Sequence, residues 1–323
     1  MINSIFQISS DIIFNDVALN VFDYQYYNND IYNKFCHNLK KSPDTVKRIE
    51  DIPFMPISFF KSHQIICKNK NPEIIFSSSG TTGAGTSKHY VANIEVYQKS
   101  FEKGFEYFYG DITDYCLLAL LPSYLERQGS SLIYMTESLI KNSGHPDSGF
   151  YLHNTKELAE KLSVLQSNGQ KTLLLGVSFA LLEMAKAHPV SIPDIIIMET
   201  GGMKGRGKEL IRAELHDILC KKFGVSKIHS EYGMTELLSQ TYSKGDGVFN
   251  CPPWMKVFTR GIYDPLEILP PNSAGVINVI DLANIYSCSF IATDDLGKVF
   301  QDGSFEITGR MDASDTRGCN LMV

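Results

Sequence analysis

The run Ser77-Ser78-Ser79-Gly80-Thr81-Thr82-Gly83-Ala84-Gly85-Thr86-Ser87-Lys88-His89 packs seven hydroxyl side chains, three glycines and one lysine into thirteen positions. That combination suits the oxygens of a phosphate. Backbone N–H groups freed by glycine and the Ser/Thr hydroxyls can converge on one anion, and Lys88 adds a positive charge. Gly80 and Gly85 have the glycine spacing of G-x-x-x-x-G-K-[ST], but Thr86 follows Gly85 and the lysine arrives two places late. The pattern therefore argues against a P-loop NTPase of the kinase or GTPase kind. The plainer alternative is a surface loop rich in Gly, Ser and Thr. His89, directly beside the loop, could contact a carboxylate substrate or assist attack on phosphorus; it could equally cap the loop by a hydrogen bond.

Such a loop needs elements that hold it, and apolar Ile74-Ile75-Phe76 predicts a strand leading into it. Upstream, the first seventy residues read as mostly helical and aromatic. Two prolines between Asp51 and Lys61 then exclude a continuous helix and favour an extended approach. Downstream, Ile94, Tyr97, Phe101, Phe105 and Phe108 recur at gaps of three and four, which predicts an amphipathic helix over 92–109. The continuous apolar runs 115–121, 171–178 and 194–199 predict strands buried on both faces. Helices are expected at 155–165 and 207–223, the latter with Leu210, Ile211, Leu215 and Leu219 on one stripe, and a short strand at 226–230. Strands alternating with helices call for a mostly parallel sheet covered on both sides, an α/β fold. From Gly261 onward short β-rich pieces alternate with turn signals. The expected division is an α/β core over 1–260, including the amino-terminal helical segment, and a smaller β-rich subdomain over 261–323.

Composition narrows the function classes. The chain has 323 residues, 43% of them hydrophobic, with 30 basic against 36 acidic side chains and no long block of either sign. A sizeable core is affordable at this length, and the charge balance argues against a nucleic-acid surface. No apolar run approaches the length of a membrane span. The first residues lack a basic region followed by an apolar stretch, so no secretory signal is read there. The seven cysteines have no C-x-x-C spacing, so no zinc or iron–sulfur site is signalled. An odd number in a long chain without export features fits a reducing cytoplasm. Gly201-Gly202-Met203-Lys204-Gly205-Arg206-Gly207 follows the expected strand at 195–199. It reads either as pocket lining at a strand end or as a flexible turn with a basic rim.

Four motifs fall in an order that resembles the adenylate-forming enzymes, the superfamily of acyl- and aryl-CoA synthetases, luciferases and peptide-synthetase adenylation domains. They are Ser78-Ser79-Gly80-Thr81-Thr82-Gly83 with Ser87-Lys88; Tyr232-Gly233-Met234-Thr235-Glu236, similar to Y-G-x-T-E; Thr293-Asp294-Asp295-Leu296-Gly297, where T-G-D is common; and Gly309-Arg310-Met311-Asp312, similar to G-R-x-D. Within the superfamily the chain resembles the LuxE-like acyl-protein synthetases. The likeness lies in the proline-rich segment 53–62, the loop ending Ser87-Lys88-His89, and Gly309 through Cys319, which looks like that family's carboxyl-terminal signature.

The resemblance implies the large-domain fold of that superfamily, and an ATP-dependent acid–thiol ligase that makes acyl-AMP from a fatty or other hydrophobic carboxylic acid. It implies that Ser78, Ser79, Gly80, Thr81, Thr82, Gly83, Ser87 and Lys88 hold phosphates, that Thr235 donates to the α-phosphate, and that Glu236 helps hold Mg²⁺. Tyr232 would lie against adenine, with Gly233 and Met234 also in the nucleotide site; Asp295 would accept from the ribose hydroxyls, with Arg310 contacting the same sugar or the phosphate. Asp294 departs from the usual glycine. Gly201 and Gly202 would permit close backbone approach to the ligand. Cys319 would accept the acyl group and pass it to a reductase or other acceptor protein. The mobile cap domain of most members, which carries a catalytic lysine, is expected to be absent, since thirteen residues follow Arg310, and the LuxE-like proteins share that feature. Two readings compete: an adenylate-forming ligase delivering to coenzyme A or a carrier thiol, and an inactive nucleotide-binding scaffold of a reductase complex.

Overall fold

The computed structural model describes residues 2–78, 85–122, 128–201 and 210–311. The amino-terminal segment is helical, as its pattern predicts: α1 Ile2–Ile5, α2 Asp11–Asn28 and α3 Asp30–Asn38. Asn29 joins α2 to α3 and caps the second, its side-chain oxygen accepting from the N–H groups of Ile31 and Tyr32 at 3.1 Å. After the prolines come the short strand β1 Met55–Pro56 and the single turn α4 Phe59–Ser62. The expected strand at 74 is β2 Ile74–Ser77. It is one arm of an antiparallel hairpin whose return arm, β3 Lys88–Val91, was not foreseen. Ser77 pairs with Lys88 and Phe76 with His89. Just beyond, the Ser78 N–H donates to the Ser87 carbonyl, and the Ser87 N–H to Ser78 Oγ, both at 3.1 Å. The hydroxyl-rich loop thus leaves and returns through one closed neck.

The next segment builds the larger sheet. In chain order it contains α5 Ile94–Tyr109, β4 Cys116–Leu120, α6 Ser131–Ser143, β5 Gly149–Phe150, α7 Thr155–Ser167, β6 Thr172–Val177, α8 Ser178–Ala187, β7 Ile196–Thr200, α9 Arg212–Phe223, β8 His229–Tyr232 and β9 Thr241–Ser243. The sheet order is β5-β4-β6-β7-β8-β9, parallel throughout except for β9. The apolar runs are continuous because alternate side chains feed two cores. Leu117, Ala119, Leu173 and Leu175 pack with α5 and α6. Cys116, Leu118, Leu120 and Leu174 pack with α7, α8 and α9. The last helix begins later than the sequence predicts. Ile211 has extended backbone (φ −66°, ψ 152°) and is exposed, so Leu210 and Ile211 precede the helix while Leu215 and Leu219 form its buried stripe.

A second sheet contains β10 Val248–Phe249, β11 Met255–Arg260, β12 Ala274–Asp281, β13 Phe290–Val299 and β14 Phe305–Arg310 in the order β10-β14-β13-β12-β11, with β1 added in parallel to β13. The division expected at 260/261 falls inside this sheet, between β11 and β12, which pair along their length from Met255–Asp281 to Arg260–Val276.

Candidate active site

The strand β8 ends at Tyr232, and the chain must then turn sharply past its own side chain. A Cβ at Gly233 would sit 2.6 Å from Glu231 Oε1, so any other residue there would force the Glu231 carboxyl to shift. The turn carries Thr235 and Glu236 against the base of the hairpin. Side chains alternate along β3, so Ser87 and His89 face inward while Lys88 is exposed on the other side. The Ser87 hydroxyl lies near enough to the Glu236 carboxylate to favour its charged form. His89 Nδ1 donates to the Thr235 carbonyl at 2.8 Å. The glycine-and-hydroxyl neck and the Thr-Glu pair are therefore one bonded unit.

Charge follows from this packing. Burial pushes the Glu236 carboxyl above its ordinary value; the Ser87 hydroxyl and the positive charges of Arg310 and Lys61 pull it back. Burial also drives His89 down to about 4 despite its bond to Thr235, so the ring is neutral. Its ring is wholly buried and packs edge-on against Phe60 at 5.6 Å. His89 thus braces the Thr235 backbone of a different segment.

The other wall comes from the second sheet. Asp295 and Arg310 are register partners in β13 and β14. Tyr232 OH donates to Asp295 Oδ2 at 2.8 Å, and its ring packs against Phe249 and Phe305, each at 5.9 Å. Burial, then the Asp295 charge, raises the Tyr232 hydroxyl well above its ordinary value, so it stays a donor. Arg310 Nε lies 3.9 Å from Asp295 Oδ1 and Nη2 lies 3.7 Å from Asp294 Oδ2. These are ion pairs at longer than hydrogen-bond distance, and both Arg310 and Asp294 are partly exposed.

Several supporting residues carry no motif and escaped sequence reasoning. Arg260 is buried and donates to the carbonyls of Ile277 at 3.0 Å and Thr293 at 2.7 Å, fixing the backbone that presents Asp294 and Asp295. The Asp281 carboxylate accepts from the N–H groups of Leu238 (2.7 Å), Ser239 (3.0 Å) and Ala283 (3.2 Å) and from Ser239 Oγ (2.6 Å), tying the segment after Glu236 to the end of β12. Glu231 is buried and bonded to the Thr200 hydroxyl; burial pushes it up to about 7, with the Glu199 charge adding to the rise. Glu199 is buried too. Bonding to His216 and the charge of Arg212 outweigh its burial and hold it below the ordinary value. Ser178 Oγ lies 2.9 Å from Glu199 Oε2 and 2.6 Å from the carbonyl of Gly201. Gly201 itself has φ +71° and leaves β7 in the left-handed region. The signal for both acids was present, each standing within two residues of a glycine at a strand end.

Of the expected site residues, the structure gathers Ser78, Ser87, Lys88, His89, Thr235 and Glu236 around the hairpin neck. It places Tyr232, Met234, Asp295 and Arg310 beside them, with Gly201 at the end of β7. Ser79, Gly80, Thr81, Thr82, Gly83, Gly202 and Cys319 lie outside the described residues. So do Lys204 and Arg206. The six described cysteines are all free thiols. Burial raises Cys36 and Cys67 to about 12 and Cys116 to about 11, and pushes Cys220, Cys251 and Cys288 up as well. Among the described residues no group of three or more His, Cys, Asp and Glu could hold a metal by itself. A lone buried carboxylate backed by a hydroxyl instead fits Mg²⁺, which takes few protein ligands and completes its shell with phosphate oxygens and water. No described helix is long and apolar enough to cross a membrane.

Comparison with known proteins agrees with this geometry. Residues 6–126 match the family model "Acyl-protein synthetase, LuxE". The chain is 26% identical to the long-chain-fatty-acid–luciferin-component ligase of Vibrio harveyi, over 94% of this chain and 85% of that protein. Among solved structures, 2-hydroxyisobutyryl-CoA ligase in complex with 2-HIB-AMP and CoA superposes with a TM-score of 0.70 at 13% identity, covering 95% of this chain and 70% of that one. ATP-bound MatB from Rhodopseudomonas palustris superposes with a TM-score of 0.55 at 18% identity over 73% of this chain. The chain spans about half of MatB, 47% of its length. The chain is thus similar to the LuxE acyl-protein synthetases over residues 6–126 and shares the fold of these ligases.

Proposed function

We propose that this chain activates a hydrophobic carboxylic acid, a fatty acid in the first instance, and passes the acyl group to a cysteine thiol. The substrate carboxylate attacks the α-phosphorus of ATP, forming acyl-AMP and expelling pyrophosphate. The thiolate then attacks the acyl carbon, forming a thioester and releasing AMP. The observation that carries this reading is the bond from His89 to the Thr235 carbonyl, with Ser87 beside Glu236. It joins the neck of a phosphate-type loop to the Thr-Glu pair without any motif-adjacent sequence forcing it to. The fatty-acid ligase of Vibrio harveyi supports the substrate class.

In this reading Ser78, Ser79, Thr81, Thr82, Gly83 and Lys88 hold the β- and γ-phosphates, and the Thr235 hydroxyl donates to the α-phosphate. Preorganised donors of this kind meet the charge that develops on phosphoryl oxygens. Glu236 would hold Mg²⁺, which when bound neutralises phosphate charge. Asp295, bonded to Tyr232 through Oδ2, would accept from the ribose hydroxyls beside Arg310. Cys319 is the acyl acceptor, a role supported by the six other thiols being held as poor thiolates by burial. An acceptor protein such as a reductase would take the acyl group from Cys319.

ATP–pyrophosphate exchange across a panel of carboxylic acids tests the first half. Exchange that rises with aliphatic chain length is expected, and no exchange with any acid overturns the reading. Cys319→Ser tests the second half. Retained exchange with loss of covalent label from a radioactive fatty acid supports it, whereas unchanged labelling, or full transfer to added coenzyme A, overturns the assignment of Cys319.

A further inference from the structure

Two successive carbonyls of the motif loop are held from two sides. His89 Nδ1 donates to the Thr235 carbonyl at 2.8 Å, and Asn284 Nδ2 donates to the Glu236 carbonyl at 2.7 Å. Because a carbonyl can only accept, the His89 proton sits on Nδ1 and Nε2 presents a lone pair. The Asn284 side chain lies beside the same ring, with its Nδ2 already committed to Glu236. Its Oδ1 is a second acceptor. Both His89 Nε2 and Asn284 Oδ1 are buried without a hydrogen-bond partner. Both residues line one partly open pocket of about 10 Å³, together with Leu238, Ala283 and Ser287 among others. That is close to the smallest space that holds one water. A water has two hydrogens to give, and two orphaned acceptors share the space.

The Asn284 turn is itself anchored. Gln25 of α2 donates to the carbonyls of Asn284 (3.0 Å) and Ile285 (2.9 Å) and accepts from the Ser289 N–H (3.0 Å). Asn29 donates to the Ser287 carbonyl at 2.9 Å. The amino-terminal helix thus backs the turn, the turn backs Asn284, and Asn284 backs Glu236.

We infer that Asn284 is a positioning residue for the Thr235–Glu236 pair, acting with His89 and one buried water that donates to His89 Nε2 and Asn284 Oδ1. The inference rests on the proposed role of Glu236 in holding Mg²⁺. Outer-shell partners that orient a metal ligand typically alter metal affinity ten- to a hundred-fold when lost.

The test uses the full chain. Asn284→Leu, close in size but without a donor, should raise the Mg²⁺ concentration for half-maximal pyrophosphate exchange by about ten-fold and leave the KM for the acid unchanged. His89→Asn, whose amide can replace Nδ1, should restore most of the exchange rate lost in His89→Phe. An unchanged Mg²⁺ requirement, or equal loss in His89→Asn and His89→Phe, overturns the inference. Imidazole ¹⁵N shifts give a readout independent of catalysis: a protonated Nδ1 and a bare, water-bonded Nε2 are expected, and the opposite tautomer overturns it. If the wild-type chain shows no exchange at all, the functional reading fails while the ¹⁵N result still decides the clamp. If Asn284→Leu does not fold, the same ¹⁵N spectrum and the histidine pair decide it.

Discussion

Tyr232 OH donates to Asp295 Oδ2 at 2.8 Å, and this bond crosses from the last parallel strand of the larger sheet to β13 of the smaller one. A motif residue of one sheet thereby orients a motif residue of the other. Tyr232→Phe keeps the ring packing against Phe249 and Phe305 and removes only the donor. The expected outcome is a rise of about ten-fold in the KM for ATP, the scale of one hydrogen bond to a charged group, with kcat nearly unchanged. Steady-state exchange kinetics over a range of ATP concentrations checks it.

Glu236→Gln is nearly isosteric and keeps the backbone bond to Asn284. It removes the charge proposed to hold Mg²⁺. Exchange should fall by about a hundred-fold or more, since metal ions contribute several kcal/mol of transition-state stabilisation. Urea unfolding of the variant should show a midpoint close to, or above, that of the parent, because a buried carboxylate with a raised titration point has been neutralised.

Asp281→Asn tests the tie behind the motif loop. The carboxylate accepts from three backbone N–H groups and one hydroxyl. An amide would turn a donor toward donors. Roughly 3 kcal/mol of stability should be lost, the cost of leaving buried donors unsatisfied, measured by the shift in urea midpoint at constant slope.

Gly233→Ala would put a methyl 2.6 Å from Glu231 Oε1, inside contact distance. Overpacking of this kind costs about 1–3 kcal/mol. The double variant Gly233→Ala, Glu231→Ala should recover part of that loss, and a double-mutant cycle with no coupling between the two positions would refute the clash.

Glu231 gives stability a pH dependence of definite sign. Its titration point rises from 4.5 unfolded to about 7 in the folded chain, chiefly through burial. Between these values the folded state keeps a proton that the unfolded state has released. Its contribution is therefore complete below pH 4.5 and is lost as pH rises through 7, at up to about 1.4 kcal/mol per pH unit. His89 and His229, both lowered to about 4 by burial, act with the opposite sign as pH rises from 4 to 6.5. The difference between Glu231→Gln and the parent isolates the glutamate. The variant should gain relative stability from pH 5 to 8 in urea titrations.

What the sequence disclosed follows from how each element is buried. β4, β6 and β7 are covered on both faces, so their apolar runs stand out without any partner being known. β3 was not legible, because Lys88-His89-Tyr90 reads as polar loop until its pairing with β2 is seen. The helix α6 was overlooked although Ser130 caps its start and Gly144, at φ +62°, ends it; those two signals could have found it. The motif residues Tyr232, Glu236, Asp295 and Arg310 were legible as motifs, and the structure brings them side by side. Arg260, Asp281 and Asn284 were not. A polar residue in a strand or turn looks solvated until the chain brings its partners from distant positions, as it brings the Leu238 N–H, 43 positions away, to the Asp281 carboxylate.

The alternation along β3 also limits how this stretch of gene can change over generations. Deleting or inserting a single codon between Ser87 and His89 would slide the pleat by one place. Ser87 and His89 would then fall on opposite faces, and one of the two inward groups would be thrown out to water. Length variants that survive in descendants should change the return arm by two residues at a time, or confine odd changes to the loop beyond the neck.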